Sequence, residues 1–178
     1  MQRGVTVWFT GLPCCGKTTI AKQVYDILKQ QGYRVEHLDG DIVRKDLTSD
    51  LGFSKEDRDE NLRRISFVAK LLTRNEIIVL ATFVSPYRDR RAKIRETIGE
   101  DFLEIYVNCP VNECIRRDVK GMYKKALAGE IKDFTGVQDP YEPPEHPDLT
   151  LNSLNETVSE SVESVLNLLR EKGYLKTN

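Results

Sequence analysis

Apolar residues fall into two rhythms that alternate along this chain. Short runs rich in aliphatic, β-branched and aromatic residues at 5–10, 34–39, 77–83, 102–108 and 149–152 read as strands. Between them, apolar positions recur with the spacing of one helix face. One such stretch covers 17–31 and stops at Gly32, a residue suited to a helix C-terminus. A second begins at Ser54, with Glu56 and Asp57 placed against the positive end of the helix dipole. A third follows Pro86, a fourth opens after Pro110, and the last covers 156–172 and ends at Gly173. Strands alternating with helices pair in parallel through right-handed crossovers. The expectation is an α/β fold: a parallel five-stranded sheet with helices on both faces and ligands beyond the carboxyl ends of the strands.

One stretch breaks the rhythm. Residues 119–147, VKGMYKKALAGEIKDFTGVQDPYEPPEHP, are rich in lysine, glycine and proline, weakly apolar, and long for an idle connector. They read as a mobile lid with a short helix inside it. Nothing else divides the 178 residues, so a single domain over 1–178 is expected. A formal net charge of -1 argues against a generally basic surface, and hence against nucleic acid as a partner. The N-terminus lacks a signal-like apolar core, and no apolar run approaches the roughly 18 residues of a membrane helix. The expectation is a cytoplasmic protein without a membrane partner. Cys14, Cys15, Cys109 and Cys114 form neither a dense disulfide pattern nor paired zinc spacing, and His37 and His146 stand far apart.

Chemistry collects after the first three strands. Gly11–Leu12–Pro13–Cys14–Cys15–Gly16–Lys17–Thr18 matches GxxxxGK[ST] between a strand and a helix, with Thr19 following. In such a loop, backbone N–H groups and the open helix N-terminus converge on phosphate oxygens. Lys17 then neutralises the β- and γ-phosphates of ATP, and the Thr18 hydroxyl is placed to ligate Mg2+. Cys14 and Cys15 are small loop filler, or thiols whose oxidation would block nucleotide entry.

A phosphate loop alone serves many enzymes, and Asp39–Gly40–Asp41 at the end of the second strand narrows the field. One carboxylate can organise Mg2+, directly or through water, and the other can accept the proton of an attacking hydroxyl. Asp39 is assigned to the metal and Asp41 to the proton, an assignment open to exchange; Asp41 could also cap the next helix. No NKxD signature accompanies the loop, and the DxxG spelling at 133–136 lies in the lid, so a GTPase switch is not expected. Arg44, Arg58 and Asn61 supply groups for an anionic acceptor, and Phe53 supplies a stacking surface for a base.

The stretches VWFTGLPCCGKTT, LDGDIVR, LGFSKEDRDENLRR, FVSPYRDRR, KGMYKKALAGEIKDFTG and PYEPPEHPDL run in order through nearly the whole chain. In them the sequence resembles adenylylsulfate kinases. The resemblance implies a three-layer P-loop kinase fold and transfer of the ATP γ-phosphate to the 3′-hydroxyl of adenosine 5′-phosphosulfate (APS). It implies that Arg44, Arg58 and Asn61 meet the phosphosulfate or ribose, and that Phe53 and Phe134 sandwich the adenine. It also implies that Val84 and Ser85 line the acceptor site, that Lys120 and Thr135 belong to the closing lid, and that the protein is a homodimer. Ser85 could alternatively carry a phosphoryl intermediate or cap the helix after Pro86. The competing reading is another small-molecule P-loop kinase acting on a sugar acid or nucleoside.

Overall fold

The computed structural model describes residues 2–176. Its sheet has five parallel strands, β1 (Val5–Thr10), β2 (Val35–Asp39), β3 (Ile78–Thr82), β4 (Phe102–Asn108) and β5 (Leu149–Asn152), in the order β2-β3-β1-β4-β5. The helices are α1 (Lys17–Gln30), α2 (Gly40–Val43), α3 (Lys55–Arg74), α4 (Arg88–Ile98), α5 (Val111–Arg117), α6 (Met122–Leu127) and α7 (Val158–Glu171). Every residue of β1 is buried because the strand is central and covered on both faces. That is why it reads as a continuous apolar run.

The pleat divides the core in two. Val5, Val7 and Phe9 face Ile20, Val24 and Leu28 of α1 and Val162, Val165 and Leu169 of α7. Trp8 points the other way, with Ala81, Phe83 and Phe102, onto Leu62 and Ile65 of α3 and Ile94 of α4. Helix ends follow local chemistry. Ser54 caps α3 by accepting from the Asp57 amide at 3.1 Å. At α7 the cap is Thr157, in a reciprocal capping box with Glu160, so the helix starts two residues later than its apolar pattern suggests.

A buried ion pair fastens segment 119–147 to the sheet. Arg91 of α4 is 3% exposed and sits 2.8 Å from Glu104 of β4. It also donates to the carbonyls of Ser85 at 2.6 Å and Glu142 at 2.5 Å. Burial pushes the Glu104 carboxyl up, against the lowering pull of Arg91 and Arg95. Arg91→Ala would leave that carboxylate with only the more distant Arg95, 3.9 Å away, and it is expected to destabilise the protein by about 3 kcal/mol in urea unfolding. Adding Glu104→Leu should restore most of the loss. A loss under about 1 kcal/mol in the single variant would show the pair to be dispensable.

Candidate active site

The turn from β1 into α1 is built around two glycines with different duties. Gly11 has φ 152, and a Cβ there would meet the Val107 carbonyl oxygen at 2.6 Å and the Cys15 sulfur at 2.8 Å. Crowding therefore forbids a side chain. Gly16 has φ 109 with nothing within 4 Å of a Cβ, and it stands at the N-cap of α1 without a side-chain cap bond. The first-turn N–H groups of a 14-residue helix therefore have no side-chain cap, the arrangement that suits an anion at this end.

Lys17 is 8% exposed. Its Nζ donates to the Gly11 and Leu12 carbonyls at 2.8 Å each, and it lies 3.5 Å from the Cys15 sulfur. The ammonium is held inside the arc of the loop. Cys15 is fully buried and Cys14 half-buried, so the Cys15 thiol fills space beneath the loop and is closed to bulky oxidants. Segment 119–147 lies over the same loop. The Tyr123 hydroxyl donates to the Pro13 carbonyl at 3.1 Å, and a Cβ at Gly136 would come within 3.0 Å of the Leu12 side chain.

The two aspartates after β2 have different surroundings. Asp39 is the N-cap of α2 and accepts from the Asp41 amide at 3.0 Å. Its other oxygen accepts from the Thr18 hydroxyl at 2.9 Å and the Thr82 hydroxyl at 3.0 Å. Burial raises its pKa, but these three hydrogen bonds outweigh it and hold the carboxyl below its ordinary value. His37 lies behind, with Nε2 3.1 Å from the Thr82 hydroxyl. The helix cap is therefore Asp39, not Asp41 as the sequence left open. Asp41 is exposed and pairs with Lys120.

Among the residues expected to meet the acceptor, the Arg44 guanidinium lies 4.4 Å over the Phe53 ring and donates to the Gly52 carbonyl at 2.9 Å. Phe53 is 66% exposed. Arg58 joins the segments that carry the two phenylalanines: Nε donates to the Phe53 carbonyl at 2.8 Å and Nη2 to the Asp133 carbonyl. Phe134 packs edge-on against Tyr123 with ring centres 5.0 Å apart. Asn61 is 5% exposed and its Oδ1 accepts no hydrogen bond among the described residues, an orphaned acceptor one turn from Arg58 on α3. Thr135 is buried, 3.5 Å from Arg58 Nη1.

Ser85 turns inward beside the half-buried Val84. The Val84 carbonyl accepts from the Thr10 hydroxyl at 2.7 Å. Ser85, 3% exposed, accepts from the Trp8 indole at 3.0 Å and donates to Thr10 at 3.1 Å. Its hydroxyl is thus committed to the core side of the sheet. It does not cap α4 either, whose N-cap position is Tyr87. A groove of about 650 Å³ between α3 and α4 lies elsewhere, lined by Glu60, Arg63, Arg90 and Lys93 among others and by none of the loop residues.

The model of the family described as adenylylsulphate kinase matches residues 3–152. The chain belongs to the adenylylsulphate kinase family. It is 63% identical to the adenylyl-sulfate kinase of Halothermothrix orenii over 98% of this chain and 94% of that one. It is 58% identical to that of Rippkaea orientalis, covering 98% and 96%. The APS kinase of Mycobacterium tuberculosis, solved in complex with AMPPNP and APS, superposes with a TM-score of 0.91 at 44% identity, covering 96% of this chain and 99% of that one. The reaction is accordingly phosphate transfer from ATP to APS, with Mg2+. No helix among the described residues is long and apolar enough to cross a membrane.

The donors present suit that metal. Thr18 and Asp39 offer one hydroxyl and one carboxylate 2.9 Å apart, and no cluster of three or more His, Cys, Asp or Glu side chains forms a cage among the described residues. Mg2+ favours such a sparse protein share, completed by phosphate oxygens and water. Bound there, the ion would supply charge neutralisation on the phosphates.

Several residues packed around the candidate site carry no recognisable signal in the sequence. Thr82 and His37 belong to the Asp39 network. Tyr141 closes on Thr10 at 2.9 Å, and Arg117 reaches the Cys15 carbonyl at 3.4 Å and the Ser153 carbonyl at 2.8 Å. Their partners are distant in sequence, and no local spacing announces them.

Proposed function

We propose the following division of labour for phosphoryl transfer to APS. The loop 11–16 with Lys17, Thr18 and Thr19 grips the triphosphate. Thr18 and Asp39 hold Mg2+. Asp41 orients the 3′-hydroxyl and takes its proton, while Lys17 balances charge on the transferring group. Arg44, Arg58 and Asn61 take the phosphosulfate or ribose, Phe53 and Phe134 flank the adenine, and Val84 and Ser85 shape the wall behind it. Lys120 and Thr135 act from 119–147 as a lid, which excludes water when closed.

One observation carries the assignment of base and metal ligand. Asp39 spends three of its roughly four acceptor sites on donors, which leaves one for a metal ion, whereas Asp41 is exposed and, among the described residues, shares its carboxylate only with Lys120. A carboxylate held below its ordinary pKa is a poor proton acceptor and a good metal ligand. The working unit is taken as one domain over 1–178, a homodimer, acting in the cytoplasm; the family resemblance supports the dimer. Labelled ATP offered with APS, gluconate or a nucleoside monophosphate tests the acceptor. Label should reach APS alone, and label on gluconate or on none of the three would overturn the reading.

A further inference from the structure

We propose that Asp139 is a positioning residue for the acceptor, holding the Arg58 guanidinium so that its Nη1 edge meets the acceptor's anionic group. This rests on the reading that Arg58 binds APS. An arginine has five N–H donors in a rigid fork. In Arg58, Nε is spent on the Phe53 carbonyl. Nη2 is spent twice, on the Asp133 carbonyl and on the Asp139 carboxylate at 2.9 Å. Among the described residues, Nη1 keeps only a long contact of 3.5 Å to the Thr135 hydroxyl. The fork is anchored along one side and open along the other.

Asp139 is well placed to anchor it. Its amide donates to the Phe134 carbonyl at 3.2 Å and its carbonyl accepts from the Gly136 amide at 2.8 Å. Two residues on, Tyr141 is bonded to Thr10, and Glu142 is fixed by Arg91. The carboxylate therefore sits on a tight turn tied to the sheet. The pair is shielded, with side-chain exposures of 15% for Arg58 and 23% for Asp139. Arg44 supplies a reason for a carboxylate at this point. After burial, the like charge of Arg58 is the main influence lowering its pKa, so two guanidinium groups oppose one another here. Asp139 offsets that repulsion and keeps Arg58 from swinging out. Its carboxylate takes the Nη2 side, which leaves the acceptor's oxygens the Nη1 side.

The test is steady-state kinetics in both substrates for Asp139→Ala and Asp139→Asn, each alone and in an Arg58→Ala background. Asp139→Ala should raise KM for APS about tenfold, the loss of one charge-assisted bond. Its kcat and KM for ATP should stay within about twofold. Asp139→Asn keeps an acceptor without the charge and should fall between. In the Arg58→Ala background neither change should add to KM for APS, a coupling that a merely structural role would not produce. An unchanged or lowered KM for APS in Asp139→Ala, beside a raised one in Arg58→Ala, would overturn this inference alone. So would a full Asp139 effect persisting without Arg58. An unchanged KM for APS in Arg58→Ala would overturn the Arg58 assignment and this inference with it.

Discussion

Replacing Lys17 with alanine should cut turnover about a thousandfold or more while leaving the fold intact. The side chain is buried in the loop, and its ammonium is already enclosed by the Gly11 and Leu12 carbonyls. Exchanging those carbonyls for phosphate oxygens places a full positive charge, in a water-poor setting, where negative charge moves during transfer. There it acts far more strongly than it would in bulk water. Lys17→Arg should not rescue activity, because a planar guanidinium needs more room than the arc between Gly11 and Cys15 leaves. Circular dichroism should report an unaltered fold, since the lost contacts, to two carbonyls and the Cys15 sulfur, all lie within the loop. Turnover within tenfold of the parent would show that the lysine does not serve the phosphates.

Asp41→Asn is the second large effect. General-base removal lowers rates by roughly 10²–10⁴-fold, and the amide keeps the shape and one acceptor of the acid it replaces. We expect kcat to fall at least a hundredfold with KM for APS within about threefold, because the group acts on the reacting hydroxyl rather than on the bound anion. Asp39→Asn should behave differently. It disturbs the bonds to Thr18, Thr82 and the α2 N-terminus, so its loss should be partly recovered by raising Mg2+. Equal kcat in Asp41→Asn and the parent would exclude the base role.

Much of this was legible in the chain because it is local. The strands fall within a residue of their apolar runs, and α3 begins where a capping serine precedes two acids. The phosphate loop is one contiguous stretch whose strand and helix neighbours lie beside it. Where reading failed, the deciding contact was of another kind. The start of α7 was set by Thr157 and Glu160 rather than by apolar period, and α2 is too short, at four residues, to show a period at all. The cap on α2 proved to be Asp39 because Thr18 and Thr82 hold that carboxylate in place, and neither lies near it in sequence. Ser85 looked available at a strand end, yet the Trp8 indole draws it inward across 77 positions. Arg58 shows the same limit: its helix placement followed from spacing, whereas its partners Thr135 and Asp139 stand 77 and 81 positions away.

The most direct test is a crystal structure with Mg2+, a non-hydrolysable ATP analogue and APS bound together. The 3′-oxygen of the ribose should lie roughly 2.6–3.2 Å from an Asp41 carboxylate oxygen and about 3–3.5 Å from the γ-phosphorus, in line with its leaving oxygen. A 3′-oxygen paired instead with Asp39, or turned away from the γ-phosphorus with the segment 119–147 closed, would contradict this arrangement.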